Sequence, residues 1–168
     1  ESRGAHTRTD DPATAPVDLT RLLQQTSERL RPELEASGVQ LELSVEALPE
    51  VRSDAEALRR ALLNLVHNAR QAMPQGGAVR LVGTHIGAMV EVAVEDNGPG
   101  VALDLRPLLF RPFSSRRPGG TGLGLAIVKR TLEEHHGTVR FEEVPTGGAR
   151  FVMSIPAAAG TISGIVTS

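Results

Sequence analysis

Residues 119–130, GGTGLGLAIVKR, place four of the chain's seventeen glycines in six positions and then turn into helix-forming sequence. Glycine is costly to order and packs nothing, so bare backbone directly before a helix needs a reason. Two readings are open on this stretch alone. One is a loop ahead of an ordinary helix; the other is backbone left bare because a ligand comes too close for a Cβ. A helix N-terminus offers free N–H groups and the positive end of its dipole, so the ligand of the second reading is an anion, a phosphate above all. The familiar phosphate loops are excluded. No Gly-Lys-Ser/Thr follows, as a Walker A loop requires. Gly120, Gly122 and Gly124 alternate, unlike G-x-G-x-x-G, and they follow a loop where a dinucleotide fold needs a strand.

Outward from this stretch, the chain reads as helices and hairpins. The helix after the glycines is expected from about Gly122 to His136, ending at Gly137. TVRFEEV and ARFVMSI then form a hairpin across PTGG. Upstream, AVRLVGTHI and MVEVAVED predict another hairpin, with Gly87 in its connection. Residues 53–73, SDAEALRRALLNLVHNARQAM, give the clearest helix, with Leu58, Leu62, Leu65, Ala69 and Ala72 on one face. Ser53 and Glu56 read as its capping box. VQLELSV alternates as a half-buried strand. A helix capped by Asp18 runs to about Ser37, and Pro32 predicts a kink or break in it.

Hairpins outnumber crossovers, so the expected architecture is α+β: three main helices on one face of a mixed, mostly antiparallel five-stranded sheet. Residues 1–16 read as a linker or tail, 17–156 as the domain and 157–168 as a small-residue tail. Residues 97–118 read as a long loop carrying a short apolar patch, a kind of loop that is usually functional.

Composition narrows the function. The net charge of −2 gives no bulk attraction to nucleic acid or membrane. There is no cysteine, hence no disulfide framework and no thiolate metal site. No stretch is long and apolar enough for a transmembrane helix and no signal peptide opens the chain, so a cytoplasmic location is the default expectation. With four Phe and neither Trp nor Tyr, the core must be aliphatic.

Two further stretches carry chemistry. Asn64 and Asn68 lie four apart and share a helical face. They are either solvated edge positions or amide oxygens for a hard cation such as Mg²⁺, which takes oxygen donors and shares them with phosphates. EDNGPG, residues 95–100, ends a buried-looking strand in a tight turn. Asp96 is either the side chain that stabilises that turn or an acceptor at a pocket floor for an exocyclic amine, which adenine has and guanine lacks at that position.

In order and spacing, these stretches resemble the N, G1 and G2 boxes of the GHKL superfamily: DNA gyrase, heat-shock chaperone ATPases, sensor histidine kinases and mismatch-repair ATPases. NLVHNARQAM resembles the N box, DNGPG the G1 box and GGTGLGLAIVKR the G2 box. LFRPF at 109–113 resembles the F box of histidine kinases, and TGGARFVMSIP their closing strand. The resemblance spans roughly residues 17–156. It implies a Bergerat fold that binds ATP and Mg²⁺ under a lid. On it, Asp96 reads adenine, Gly98 and Gly100 shape the adenine floor, Asn68 ligates Mg²⁺ and Asn64 sits beside it. Gly120, Thr121, Gly122, Leu123 and Gly124 line the phosphate side, and Arg70 and Arg117 are further candidates there.

The hydrolysing members carry Glu at the Asn64 position. An amide cannot take a proton from water at neutral pH, so the resemblance favours a protein-histidine kinase. The γ-phosphoryl of ATP would pass to a histidine on a dimerisation and phosphotransfer domain, and from there to a response regulator. None of His6, His67, His85, His135 and His136 stands in the pattern of such an acceptor. Two alternatives belong to other classes: a nucleotide-binding regulatory module without phosphotransfer, and an anti-sigma-type serine kinase. Two departures bear on affinity. SSRRPGG puts Arg117 where the lid usually has Lys, and Ala149 stands where Thr is usual, which implies loss of a water-mediated adenine contact. Residues 104–121 are expected to gain order when a triphosphate arrives, with Phe110 and Phe113 docking by apolar burial. Hydrogen exchange of the free, ADP-bound and ATP-analogue-bound forms checks this.

Overall fold

Alternating apolar and polar residues from Val39 to Val45 and from Met89 to Asp96 become the strands that they predict. A computed structural model describes residues 14–112 and 124–158. The elements run β1 (Ala15–Val17), α1 (Leu19–Ala36), β2 (Val39–Val45), β3 (Val51–Ser53), α2 (Ala55–Ala72), β4 (Gly77–Ile86) and β5 (Met89–Asp96). A 3₁₀ helix (Leu103–Leu108), α3 (Gly124–Glu134), β6 (Thr138–Glu143) and β7 (Ala149–Pro156) follow.

The main sheet has five strands in the order β2-β4-β5-β7-β6. Only β2 and β4 pair in parallel; the remaining pairs are antiparallel. The three helices bury their apolar stripes on this sheet. Leu30 and Leu34 of α1, Leu62 and Leu65 of α2 and Leu132 of α3 meet Leu81, Val90 and Ile155 in one aliphatic core. Phe151 gathers the described aromatics, with Phe141 at 5.5 Å and Phe110 edge-on at 6.1 Å. Among the described residues, no helix is long and apolar enough to cross a membrane.

The structure corrects several sequence expectations. Ser53 is not the cap of α2. Asp54 is, accepting from the backbone N–H of Glu56 and Ala57 at 3.0 and 3.3 Å. Ser53 is instead drawn into β3, which pairs with β1, so Ala15 and Pro16 belong to a strand and not to the linker expected over residues 1–16. Pro32 does not break α1, which runs unbroken past it. Buried Leu30 and Leu34 on either side outweigh the one backbone hydrogen bond that proline forfeits. The loop expected over 97–118 contains the 3₁₀ helix, whose Arg106 caps Val101 O and stacks over Phe141 at 5.2 Å. Helix α3 ends at Glu134, and His136 takes the left-handed turn, φ 64°, ahead of Gly137.

Charged side chains link four strands of the sheet in a ladder: Arg80–Glu95, Glu95–Arg150, Arg150–Glu142, Glu142–Arg140 and Arg140–Glu91. The hydrogen bond from Arg140, reinforced by Arg150, holds the Glu142 carboxyl below the ordinary glutamate range. A depressed carboxylate pKa stabilises the fold above the unfolded value and loses that contribution as pH falls through the folded one. Glu142→Gln is therefore expected to lower the unfolding free energy at neutral pH slightly, by under about 1 kcal/mol for so exposed a pair, and the urea midpoint with it. The difference should vanish in acid, and urea titrations at both pH values check it.

Candidate nucleotide site

Strand β5 carries Asp96 to its end and buries it, leaving 4 % exposed. Its Oδ1 accepts from Gly98 N at 2.9 Å and from Ala149 N at 3.3 Å. The first bond is the turn-stabilising one that the sequence allowed; the second ties the carboxylate to β7. The two readings of Asp96 are thus compatible, because one oxygen serves the turn within a buried group. Asn97 pins the same turn to β4, its Oδ1 accepting from Ala78 N at 2.9 Å and its N donating to Ala78 O at 3.3 Å.

The turn packs against the C-terminal end of α2. A Cβ on Gly98 would lie 3.0 Å from Met73 Cγ and 3.4 Å from Ala72 O. Asn68 sits one helical turn before Ala72, and Asn64 one turn before that. Both are half-buried and flank the stripe formed by Leu65 and Ala69. The structure thereby sets the turn that follows Asp96 against the end of α2, one helical turn beyond Asn68.

Gly148, just before the closing strand, completes this corner. Its φ is +104°, and a Cβ there would fall 2.0 Å from Asp96 O and 3.1 Å from Asn97 Cα. Gly100, φ +80°, approaches from the other side, its Cβ position 3.1 Å from Gly148 O. The signal that could have found Gly148 was the glycine pair immediately before the closing strand.

Gly124 opens α3, and no described residue comes within 4 Å of its Cβ position. Arg70, the candidate phosphate contact, lies 3.7 Å from Glu33 of α1, which His67 also approaches at 3.5 Å. Such an exposed pair is weak and readily exchanged for a stronger partner. Arg117, Gly120, Thr121, Gly122 and Leu123, with Phe113, lie outside the described residues. Among the described histidines, His85 lies within β4 and His135 bonds Thr131 O through Nδ1 at 2.9 Å. His6 lies outside the described residues.

A family model described as "Histidine kinase-, DNA gyrase B-, and HSP90-like ATPase" matches residues 53–159. The chain is 35% identical over 141 residues to the sensor histidine kinase ZraS of Escherichia coli O157:H7, covering 83% of this chain and 31% of that protein. It spans about a third or less of the curated relatives it matches first. Among solved structures, full-length ShkA in complex with AMPPNP superposes with a TM-score of 0.77 at 36% identity, covering 88% of this chain and 32% of that one. The mycobacterial sensor histidine kinase MprB gives 0.75 at 32% identity, covering 85% and 97%.

Proposed function

Because the chain belongs to the histidine kinase-, DNA gyrase B- and HSP90-like ATPase family, we propose that it is the ATP-binding catalytic domain of a sensor histidine kinase. The observation that carries this reading is the fixed, buried Asp96 carboxylate. Two backbone N–H groups set its orientation, and an ionised carboxylate only accepts. It therefore suits the exocyclic amine of adenine and rejects the carbonyl that guanine offers instead. Gly98 and Gly100 keep the floor beside it free of side chains.

Asn68 would supply an amide oxygen to Mg²⁺. No group of three or more His, Cys, Asp or Glu among the described residues could hold a metal, so the ion would lean on Asn68 and on phosphate oxygens, as Mg²⁺ commonly does. ATP supplies the transferable γ-phosphoryl, and Mg²⁺ bound there would neutralise charge on its phosphates. Asn64 polarises without abstracting a proton, so water is not activated and the phosphoryl group is kept for a side chain. Gly124, at the start of α3, leaves helix N–H groups accessible to phosphate. The same role for Gly120, Thr121, Gly122, Leu123 and Arg117 rests on the sequence resemblance, and Arg70 would join them by leaving Glu33.

The acceptor is a histidine on the dimerisation and phosphotransfer domain of the parent protein, and the next carrier is a response regulator. The sensor histidine kinase relatives favour this over a serine kinase or a module without phosphotransfer. The test is labelling with γ-labelled ATP. The 168-residue chain is expected to bind ATP and ADP with Mg²⁺ yet take up no acid-labile, base-stable phosphate alone. Supplied with the phosphoacceptor domain, it should label histidine there. Label on serine of a partner would move the assignment to the serine kinases.

Ala149 offers a gain-of-affinity check. Its N–H already bonds Asp96, so a hydroxyl on its Cβ would stand beside the carboxylate and could hold a water against adenine. Ala149→Thr is expected to tighten ATP binding several-fold in calorimetry, while the two heavy atoms it adds at a buried position cost the about 1–3 kcal/mol of stability to urea that overpacking brings.

A further inference from the structure

The structure assigns a second, separate site, for a free oxyanion of phosphate size, to the groove between α1 and α2. A cavity of about 130 Å³ lies there, lined by Gln25, Thr26, Arg29, Arg59 and Leu63. Thr26 is only 3% exposed, and its Oγ1 is buried with no hydrogen-bond partner among the described residues. A buried hydroxyl left unpaired costs free energy, and a ligand oxygen accepting from it removes that cost, whereas an apolar occupant leaves it in place.

The rest of the lining sets the sign of the charge. Gln25 and Arg29 are one turn apart on α1, and Arg59 and Leu63 one turn apart on α2, so each helix presents one face to the cavity. Arg29 is exposed and makes no ion pair among the described residues. Arg59 donates from Nη1 to Glu56, which leaves the other N–H groups of its guanidinium. Two guanidinium groups, an amide and an orphaned hydroxyl around a volume of about four waters suit an oxyanion. Glu56, on the Arg59 side, is the competing carboxylate, and an exposed pair of that kind is weak. Asn64 and Asn68 lie on a different face of α2 from Arg59 and Leu63; Arg70 shares the face of Arg59 and Leu63 but sits two turns further along the helix, paired with Glu33.

The experiment is a titration of the ¹⁵N-labelled chain with inorganic phosphate at ionic strength held constant with chloride. Saturable amide shifts are expected at residues 25–29 and 59–63. Thr26→Val removes the orphaned hydroxyl at nearly constant volume, so its thermal midpoint should equal or exceed that of the unsubstituted chain while its phosphate affinity falls several-fold. Exchanging both Arg29 and Arg59 for Gln should abolish the saturable shifts. The proposal is overturned if shifts at these amides do not saturate, if they occur only around Asp96 and Gly124, or if Thr26→Val binds phosphate as the unsubstituted chain does.

Discussion

Asp96→Asn is expected to weaken ATP binding at least about tenfold and to abolish the preference for adenine over guanine. The substitution is well suited to the geometry. An asparagine Oδ1 can still accept from Gly98 N and Ala149 N, so the turn and its tie to β7 survive. The other carboxylate oxygen becomes an NH₂ donor, which opposes the adenine amine and suits a carbonyl. A hydrogen bond to a charged group contributes about 1.5–3 kcal/mol, and 1.4 kcal/mol is tenfold in affinity. Calorimetry with ATP and GTP checks both halves. Unchanged ATP affinity in a folded variant would remove Asp96 from the site.

Gly148→Ala is expected to be the most destabilising single-methyl change in the site. The new Cβ would stand 2.0 Å from Asp96 O and 3.0 Å from Asp96 C. Both atoms belong to the backbone of a central strand and cannot step aside as a side chain would. Overpacking costs about 1–3 kcal/mol and left-handed backbone strain a similar amount, so a loss of about 3 kcal/mol is expected, out of a total of about 5–15 kcal/mol. Gly147→Ala is the control. Its φ of +102° imposes comparable strain, but no described residue lies within 4 Å of its Cβ position. Urea unfolding of both should place Gly148→Ala well below Gly147→Ala. Equal midpoints would mean that the contact with Asp96 is relieved at little cost.

The fold was legible where a period of burial was imposed on the sequence. β2 follows its alternation residue for residue, because it buries one face, and β5 does so except at Ala93, which is buried on the opposite face. The stripes of α1 and α2 likewise point at the core that receives them. What escaped depends on partners distant in the chain. β3 is three residues long and exists because β1 lies beside it; a tripeptide has no period to read. Ser53 made a plausible cap until that pairing claimed it, leaving Asp54 to cap α2. Pro32 carries a local signal for a break that packing overrides. In the site, Asn64, Asn68 and Asp96 stood out by residue type and spacing. Gly148 did not, because its constraint comes from the Asp96 backbone, some fifty residues earlier in the chain. The pairing of Arg70 with Glu33 was equally invisible, since it joins two helices whose relative placement no local pattern states.

The central claim is that a fixed carboxylate at the end of β5 selects adenine. Parallel calorimetric titrations of the unsubstituted chain with ATP and with GTP, each with excess Mg²⁺, test it most directly. ATP is expected to bind saturably and GTP at least about tenfold more weakly, the worth of one charged hydrogen bond. ATP that fails to bind at millimolar concentration, or GTP that binds as tightly as ATP, would contradict it.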